Sequence, residues 1–331
     1  MRKFLILIFL ILVISITSYG AEINIAMQFG LGYAPIMLLS KLNLVEKYAP
    51  DTKVTWLQLG SGAAINEALI AGKADIGSMG VGPYLIGIDK GAPWKMAAAL
   101  VIQPLGLQVN DPNIQSLKDI KPTDRIALPA PGSIQHMLLA MAAEKELGDA
   151  QALDNNLVAM AHPDGAIALM AGETGITGHF TSPPYIFEEL EASNIHQIVE
   201  GFDAFGGQFT FLVVVATQKF HDNNPFLYAA FVQAISEAIS YINSNPEKAA
   251  ELLAPEFGLS VEQTLKYLTW PGTNYTITPY GIIGFAEFMK KAGYISKVPE
   301  SYDEIAWENI TAIIGKSTGQ ALSPVEGAQG R

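Results

Sequence analysis

Apolar and polar positions alternate over residues 22–27, and the loop Gln28-Phe29-Gly30-Leu31-Gly32-Tyr33 divides this strand-like run from helical spacing over 34–48. The same order of strand, small-residue loop and helix returns twice. A second strand over 53–59 runs into Gly60-Ser61-Gly62 and a helix that stops at Gly72, a C-terminal glycine cap. A short apolar strand over 74–78 then ends at Gly80-Val81-Gly82-Pro83, where proline in the first turn opens the next helix. Strands alternating with helices predict an α/β fold with mainly parallel sheets.

From residue 125 the pattern starts again. A strand over 125–128, the loop Pro129-Ala130-Pro131-Gly132-Ser133, a helix over 134–147, a strand over 156–159 and a helix from Pro163-Asp164-Gly165 to Gly172 follow one another. The stretch His179-Phe180-Thr181-Ser182-Pro183-Pro184 then stands where Gly80 to Pro83 stand in the first copy. Local identities support the match: Met37-Leu38-Leu39 with Met137-Leu138-Leu139, Ala68-Leu69 with Ala168-Leu169, and Pro83-Tyr84 with Pro184-Tyr185. Two copies about a hundred residues apart are too few for a solenoid and predict two similar lobes around a shared cleft.

The chain goes on through Gly206-Gly207-Gln208 into an apolar strand over 209–216, then helices over 225–243, 246–253, 261–267, 279–292 and 302–314. These helices are expected to pack on the first lobe, so the chain would cross between lobes twice, near 103–107 and 206–210. The expected division is a signal peptide at 1–20, lobe 1 at 21–105, lobe 2 at 106–207, the rest of lobe 1 at 208–315 and a flexible tail at 316–331. The signal reading rests on Arg2 and Lys3, the apolar stretch over 4–16 and the small residues Ser18 and Gly20.

Composition narrows the function. With 331 residues, half of them hydrophobic, two compact cores are within reach. The absence of cysteine removes disulfides and any lipid-anchoring cysteine, which leaves a periplasmic protein with no lipid anchor. A net charge of −12 disfavours nucleic acid and anionic lipid as partners. No P-loop or H-E-x-x-H motif occurs, no enzyme activity is expected, and five scattered histidines do not form a metal site. No cofactor is expected, and the chain is expected to act as a monomer.

In parallel α/β lobes, ligands bind where loops leave strands and enter helices. Four such loops carry Ser61 and Gly62; Gly80, Val81 and Gly82; Ser133, Ile134 and Gln135; and His179, Phe180 and Ser182. Their backbone N–H groups and helix dipoles suit an anion or polar heterocycle without a charged side chain. Phe29 and Tyr33 are expected to wall the cleft beside Phe180, and Gln208 to approach it from the second crossing. His136 is placed at the cleft, Trp270 and Tyr275 in packing, and His162, His196 and His221 on the surface. Arginine is confined to Arg2, Arg125 and Arg331, which argues against guanidinium recognition of a carboxylate or phosphate.

The stretches Ala34-Pro35-Ile36, Asn43-Leu44-Val45-Glu46-Lys47, Gly72-Lys73-Ala74-Asp75-Ile76-Gly77, Gly91-Ala92-Pro93-Trp94-Lys95 and Pro131-Gly132-Ser133-Ile134-Gln135-His136 resemble a known family. It is that of the solute receptors of ABC importers for nitrate, alkanesulfonates, taurine and thiamine pyrimidine precursors. The resemblance extends to Pro279-Tyr280-Gly281 and Gly293-Tyr294-Ile295 and implies a type II periplasmic-binding-protein fold, with two lobes that close on one small molecule and deliver it to an ABC permease. Related pyrimidine-making enzymes carry a cysteine-rich motif that this chain lacks. An organic sulfonate or carboxylate is the expected solute, because nitrate is too small to need several aromatic walls. The alternatives are a neutral heterocycle such as a pyrimidine precursor, or an enzyme or sensor on the same fold.

Overall fold

The computed structural model describes residues 21–172 and 175–317; the expected signal peptide and nearly all of the expected tail lie outside them. The chain begins with β1 (Glu22–Met27), a 3-10 turn at Leu31–Tyr33, α1 (Ala34–Lys41) and α2 (Leu44–Tyr48). Then come β2 (Lys53–Gln58), α3 (Gly62–Ile70), β3 (Ile76–Gly80), α4 (Val81–Asp89) and β4 (Trp94–Ile102). After Gln103-Pro104-Leu105 the second sheet starts with β5 (Gly106–Val109), β6 (Ile126–Leu128), α5 (Ile134–Leu147), β7 (Leu157–Ala159) and α6 (His162–Ala171). It ends with β8 (Gly178–Thr181), α7 (Tyr185–Glu191), β9 (His196–Glu200) and α8 (Gly201–Phe205). The chain returns as β10 (Thr210–Thr217), α9 (Gln218–Asn223), α10 (Pro225–Ser244), α11 (Pro246–Phe257), α12 (Val261–Leu268), β11 (Asn274–Tyr275), α13 (Ile282–Lys291), α14 (Tyr302–Ile305) and α15 (Glu308–Ser317).

One sheet has the order β11-β4-β10-β3-β1-β2 and the other β7-β6-β8-β5-β9. The internal repeat is visible in these orders, since β2-β1-β3-β10 of one sheet corresponds to β7-β6-β8-β5 of the other. The α/β class and the two-lobed fold are as expected, but the sheets are mixed rather than mainly parallel. β1 is parallel to β2 and β3, and β6 to β7 and β8; the remaining pairings are antiparallel. The crossings explain this. β4 leaves for the second sheet and β10 comes back from it as its direct neighbour, so the two must run in opposite directions without a crossover helix. β5 enters the second sheet beside β9, which leads out, with the same result.

Local chemistry sets the helix ends. The hydroxyls of Ser61, Ser133 and Ser260 accept from Ala64, His136 and Gln263 amides at the starts of α3, α5 and α12. Gly148 and Gly172 close α5 and α6 in the left-handed region. The helix expected over 302–314 is broken: Ala306 pairs with Met96 at the edge of β4, and the Trp307 amide donates to the Met96 carbonyl at 2.9 Å. That edge bond replaces helical bonding for one turn, and α15 restarts beyond it.

The core runs through the first lobe and across both crossings, with Trp94, Phe209, Phe231 and Phe285 fully buried. At the second crossing Phe205, Phe209 and Phe285 form a triangle with ring centroids 4.6–5.3 Å apart. These contacts anchor α8, the start of β10 and α13 to one another where the chain changes lobes.

Candidate functional site

Four helix N-termini meet at the junction of the lobes. Gly62 is the first residue of α3, Gly80 the N-cap of α4, Ser133 the N-cap of α5 and His162 the first residue of α6; all four line one pocket. Each helix brings the positive end of its dipole and unpaired N–H groups to the same point. Gln28, Phe29 and Tyr33 from the first loop, Pro83 of α4, Phe211 of β10, and Ile134 and Gln135 of α5 complete the wall. Neither lysine nor arginine is among the lining residues. Arg125 spends its guanidinium on the Pro122 and Asp124 carbonyls, both at 2.8 Å.

The lobes are shut over this pocket. The Leu31 amide donates to the Pro183 carbonyl at 2.9 Å, and Gly82 lies so close to Gly132 that a Cβ there would stand 2.6 Å from the Gly132 oxygen. The enclosed volume is about 10 Å³, enough for one water. A solute must therefore enter with the lobes apart. A wider groove of about 360 Å³ adjoins the pocket, shares Gly62, Pro83 and Ser133 with it, and is walled by Ile70, Ile86, Trp94 and Pro131.

The expected site residues divide into three groups. Phe29, Tyr33, Gly62, Gly80, Ser133, Ile134 and Gln135 come together at the pocket. Ser61, Val81, Gly82 and Ser182 stand behind or beside it: Ser61 caps α3, Val81 and Ser182 are buried, and Gly82 forms the interlobe contact. Phe180 and Gln208 do not reach it, and His179 lies behind His162 without lining it. Successive residues of a strand face opposite sides, so β8 sends His179 and Thr181 toward α6 and Phe180 into the apolar core, while Gln208 is exposed. His136 is also turned away, with its Nδ1 accepting from the Gly132 amide at 2.9 Å and its Nε2 2.9 Å from Asp154.

His162 is the main correction, because it is buried at the pocket rather than placed on the surface. It heads a line of polar side chains. Gln135 Nε2 lies 3.1 Å from His162 Nε2, His162 Nδ1 lies 3.1 Å from His179 Nε2, and His179 Nδ1 lies 2.5 Å from Glu189 Oε1. The Thr181 hydroxyl is 3.2 Å from His162 Nδ1. His179 and Glu189 are both fully buried. Burial pushes the Glu189 carboxyl up to about 9 and the His179 imidazole down to about 3, and it holds His162, with a smaller push from His179, well below its usual range. In each of the three groups burial disfavours the charged form. The Tyr33 hydroxyl accepts from Gln28 Nε2 at 2.7 Å and keeps its own proton, since burial raises its ionisation well above the usual range.

His162 had a signal in the sequence: the offset that aligns 68–72 with 168–172 also aligns Gly62 with His162, so both head corresponding helices. Glu189 had none. It stands in Tyr185-Ile186-Phe187-Glu188-Glu189-Leu190-Glu191, where an acidic residue among acidic neighbours reads as solvated surface.

Two α/β lobes joined by two crossings, with helix N-termini converging on a pocket between them, define a protein of the periplasmic solute-binding type in fold. Solved structures agree. The periplasmic aliphatic sulphonate binding protein SsuA from Escherichia coli superposes with a TM-score of 0.66 at 22% identity, covering 88% of this chain and 98% of that one. The alkanesulfonate-binding protein SsuA from Xanthomonas axonopodis pv. citri, bound to MOPS, gives 0.70 at 20% identity over 87% and 98%. The nitrate-binding protein NrtA from Synechocystis PCC 6803 gives 0.69 at 14% identity over 92% and 90%.

The chain belongs to the NMT1/THI5-like family, whose sequence profile matches residues 51–249. In sequence it is 25% identical over 241 residues to an Escherichia coli K12 protein that carries the name aliphatic sulfonates-binding protein, covering 70% of this chain and 71% of that relative.

Proposed function

We propose that the protein is an extracytoplasmic receptor that captures a small organic anion, a sulfonate or carboxylate, between its lobes and delivers it to an ABC permease. The observation that carries this reading is the convergence of the α3, α4, α5 and α6 N-termini on a pocket with no cationic side chain, so that backbone dipoles and amides take the place of a guanidinium. Phe29, Tyr33 and Phe211 supply aromatic walls, and the adjoining groove, mostly apolar but with Glu67 and Lys90 in its lining, gives the organic part of a solute somewhere to lie, which favours it over nitrate. The names of the sulfonate-binding relatives point the same way. Closure about the two crossings would exclude water and strengthen each amide contact.

One observation favours a second class of solute. Gln28 and Tyr33 of the first lobe and Gln135 of the second offer donors and acceptors to the same pocket, which suits a neutral heterocycle such as a pyrimidine precursor.

Native mass spectrometry of the purified protein identifies any solute carried through purification, and calorimetry with a series of alkanesulfonates and aryl carboxylates measures affinity. Submillimolar binding of one member is the expected result. Failure of every anion, together with binding of a neutral pyrimidine, overturns the anion reading in favour of the second, and turnover of a bound compound would make the protein an enzyme.

A further inference from the structure

Gln135, His162, His179 and Glu189 form a single file of hydrogen bonds from the pocket wall into the interior of the second lobe. Each neutral imidazole donates from one nitrogen and accepts at the other, so the file can run in only two ways. If Glu189 holds a proton, its hydroxyl donates to His179 Nδ1, His179 Nε2–H donates to His162 Nδ1, and His162 Nε2–H points toward Gln135 and the pocket. If Glu189 is ionised, every bond reverses. His179 Nδ1–H then donates to the carboxylate, His162 Nδ1–H donates to His179, and His162 Nε2 becomes an acceptor for the Gln135 amide. Heavy atoms stay in place except that the Gln135 amide, whose Nε2 faces His162 Nε2 as the ionised file requires, turns over by half a rotation in the protonated file. The two files differ by one proton.

The surroundings of Glu189 favour the protonated file. On α7, Glu188 is half-buried and Glu191 receives the Tyr267 hydroxyl at 3.1 Å, while Tyr185 lies over the His162 ring with centroids 5.8 Å apart. On α6, Asp164 is exposed. On β9, His196 Nε2 is 2.8 Å from the Ile114 carbonyl and Glu200 caps α8. β5 has no titratable residue. Among the described residues, only His179 is a hydrogen-bond or ion-pair partner of the Glu189 carboxyl, and no lysine or arginine pairs with it. The three groups are bonded in series rather than around one centre, and no cluster suited to a metal ion occurs among the described residues. Gly165 adapts α6 to the file: a Cβ there would come within 2.7 Å of His179 Nε2.

We propose that Glu189, acting through His179, sets the hydrogen-bond polarity of the pocket: while it holds its proton, His162 presents an N–H and the site selects acceptor ligands, anions above all. Loss of that proton reverses the file and turns His162 into an acceptor that repels the same ligands. Glu189 is thus a positioning residue that determines specificity without touching the solute. The consequence for the solute rests on the receptor reading above; the direction of the file does not.

The test uses solute-free protein labelled with ¹⁵N-histidine, followed by long-range ¹H–¹⁵N spectra from pH 6 to 10.5, in wild type and Glu189→Gln. Expected are Nε2–H tautomers for both His162 and His179 at pH 7, converting together to Nδ1–H with a midpoint near 9 in the wild type. The Glu189→Gln side chain keeps a donor toward His179 Nδ1, so that variant should hold the Nε2–H tautomers throughout. Nδ1–H rings or an imidazolium at pH 7, or no conversion in the wild type by pH 10.5, would overturn the proposal, and the wild-type titration decides even if the variant does not fold.

Calorimetry with methanesulfonate and benzoate tests the consequence. Affinity should fall at least tenfold between pH 7.5 and 10 in the wild type and stay level in Glu189→Gln. Binding that weakens equally in both proteins overturns the role of Glu189 in specificity. If neither anion binds at pH 7, the acceptor selectivity and the receptor reading fall together, while the ring spectra still decide the direction of the file.

Discussion

The Leu31 amide donates to the Pro183 carbonyl at 2.9 Å, a backbone bond that ties the first loop of one lobe to the last loop of the other. Leu31 is held from the opposite side by Tyr275, whose hydroxyl donates to the Leu31 carbonyl at 3.0 Å. The interlobe bond thus connects through Leu31 to β11 and the first-lobe core, and closure is built on backbone atoms that cannot adapt by changing rotamer.

Gly82 and Gly30 should therefore govern closure. A Cβ at Gly82 would stand 2.6 Å from the Gly132 oxygen and 3.0 Å from the Ile134 nitrogen, both backbone atoms of the other lobe. At Gly30 the φ of +122° is strained for any L side chain, and a Cβ would lie 3.2 Å from the Pro183 oxygen. Gly82→Ala and Gly30→Ala are expected to hold the lobes apart, giving a larger radius of gyration by small-angle scattering with an unchanged far-UV spectrum. A scattering curve for Gly82→Ala identical to that of the wild type would show that the lobes do not meet there in solution.

Stability should depend on pH through the buried file. Glu189 ionises near 4.5 when unfolded but near 9 when folded, so between those values the native state binds the extra proton and its stability falls as pH rises. His179, and His162 with it, ionise near 6.5 when unfolded and far lower when folded; below about 6.5 the unfolded state binds more protons and stability falls as pH drops. The file thus contributes a maximum near pH 6.5. Thermal melts of Glu189→Gln should lose the decline between pH 6.5 and 9 that the wild type shows, and parallel curves for the two proteins would count against a protonated Glu189.

Gly165 makes room for the His179 ring, and the added methyl of Gly165→Ala would press on it at 2.7 Å. Overpacking of this kind costs about 1–3 kcal/mol, which denaturant unfolding measures. Because the ring has Glu189 on one side and His162 on the other, the variant should also disturb the His162 resonances at the pocket.

At the second crossing, Phe285 is fully buried against Phe205 and Phe209. Phe285→Ala should destabilise the protein by about 3–5 kcal/mol in urea unfolding. A loss under 1 kcal/mol would mean that the triangle does not secure the crossing.

Much of the site was legible because helix starts leave local marks. Ser61, Gly80 and Ser133 announced themselves as small or capping residues between a strand and an apolar helix, and the repeat placed them at matching positions. Phe180 was misjudged for a reason that also lies in the chain's geometry: its loop reaches the junction, but strand alternation sends His179 to the polar side and Phe180 to the core. Only the pairing of β8 shows which residue faces which side.

By itself the sequence determined the α/β class, the duplicated unit, most element boundaries and the scarcity of arginine, because periodicity, caps and composition act within a few residues of one another. The tertiary structure alone decided which strands run antiparallel, how tightly the lobes shut, and that Glu189 is a buried acid in line with two histidines. Those outcomes depend on contacts between segments far apart in the chain and on removal from water, and a carboxyl's identity in the sequence says nothing of the dielectric it will meet.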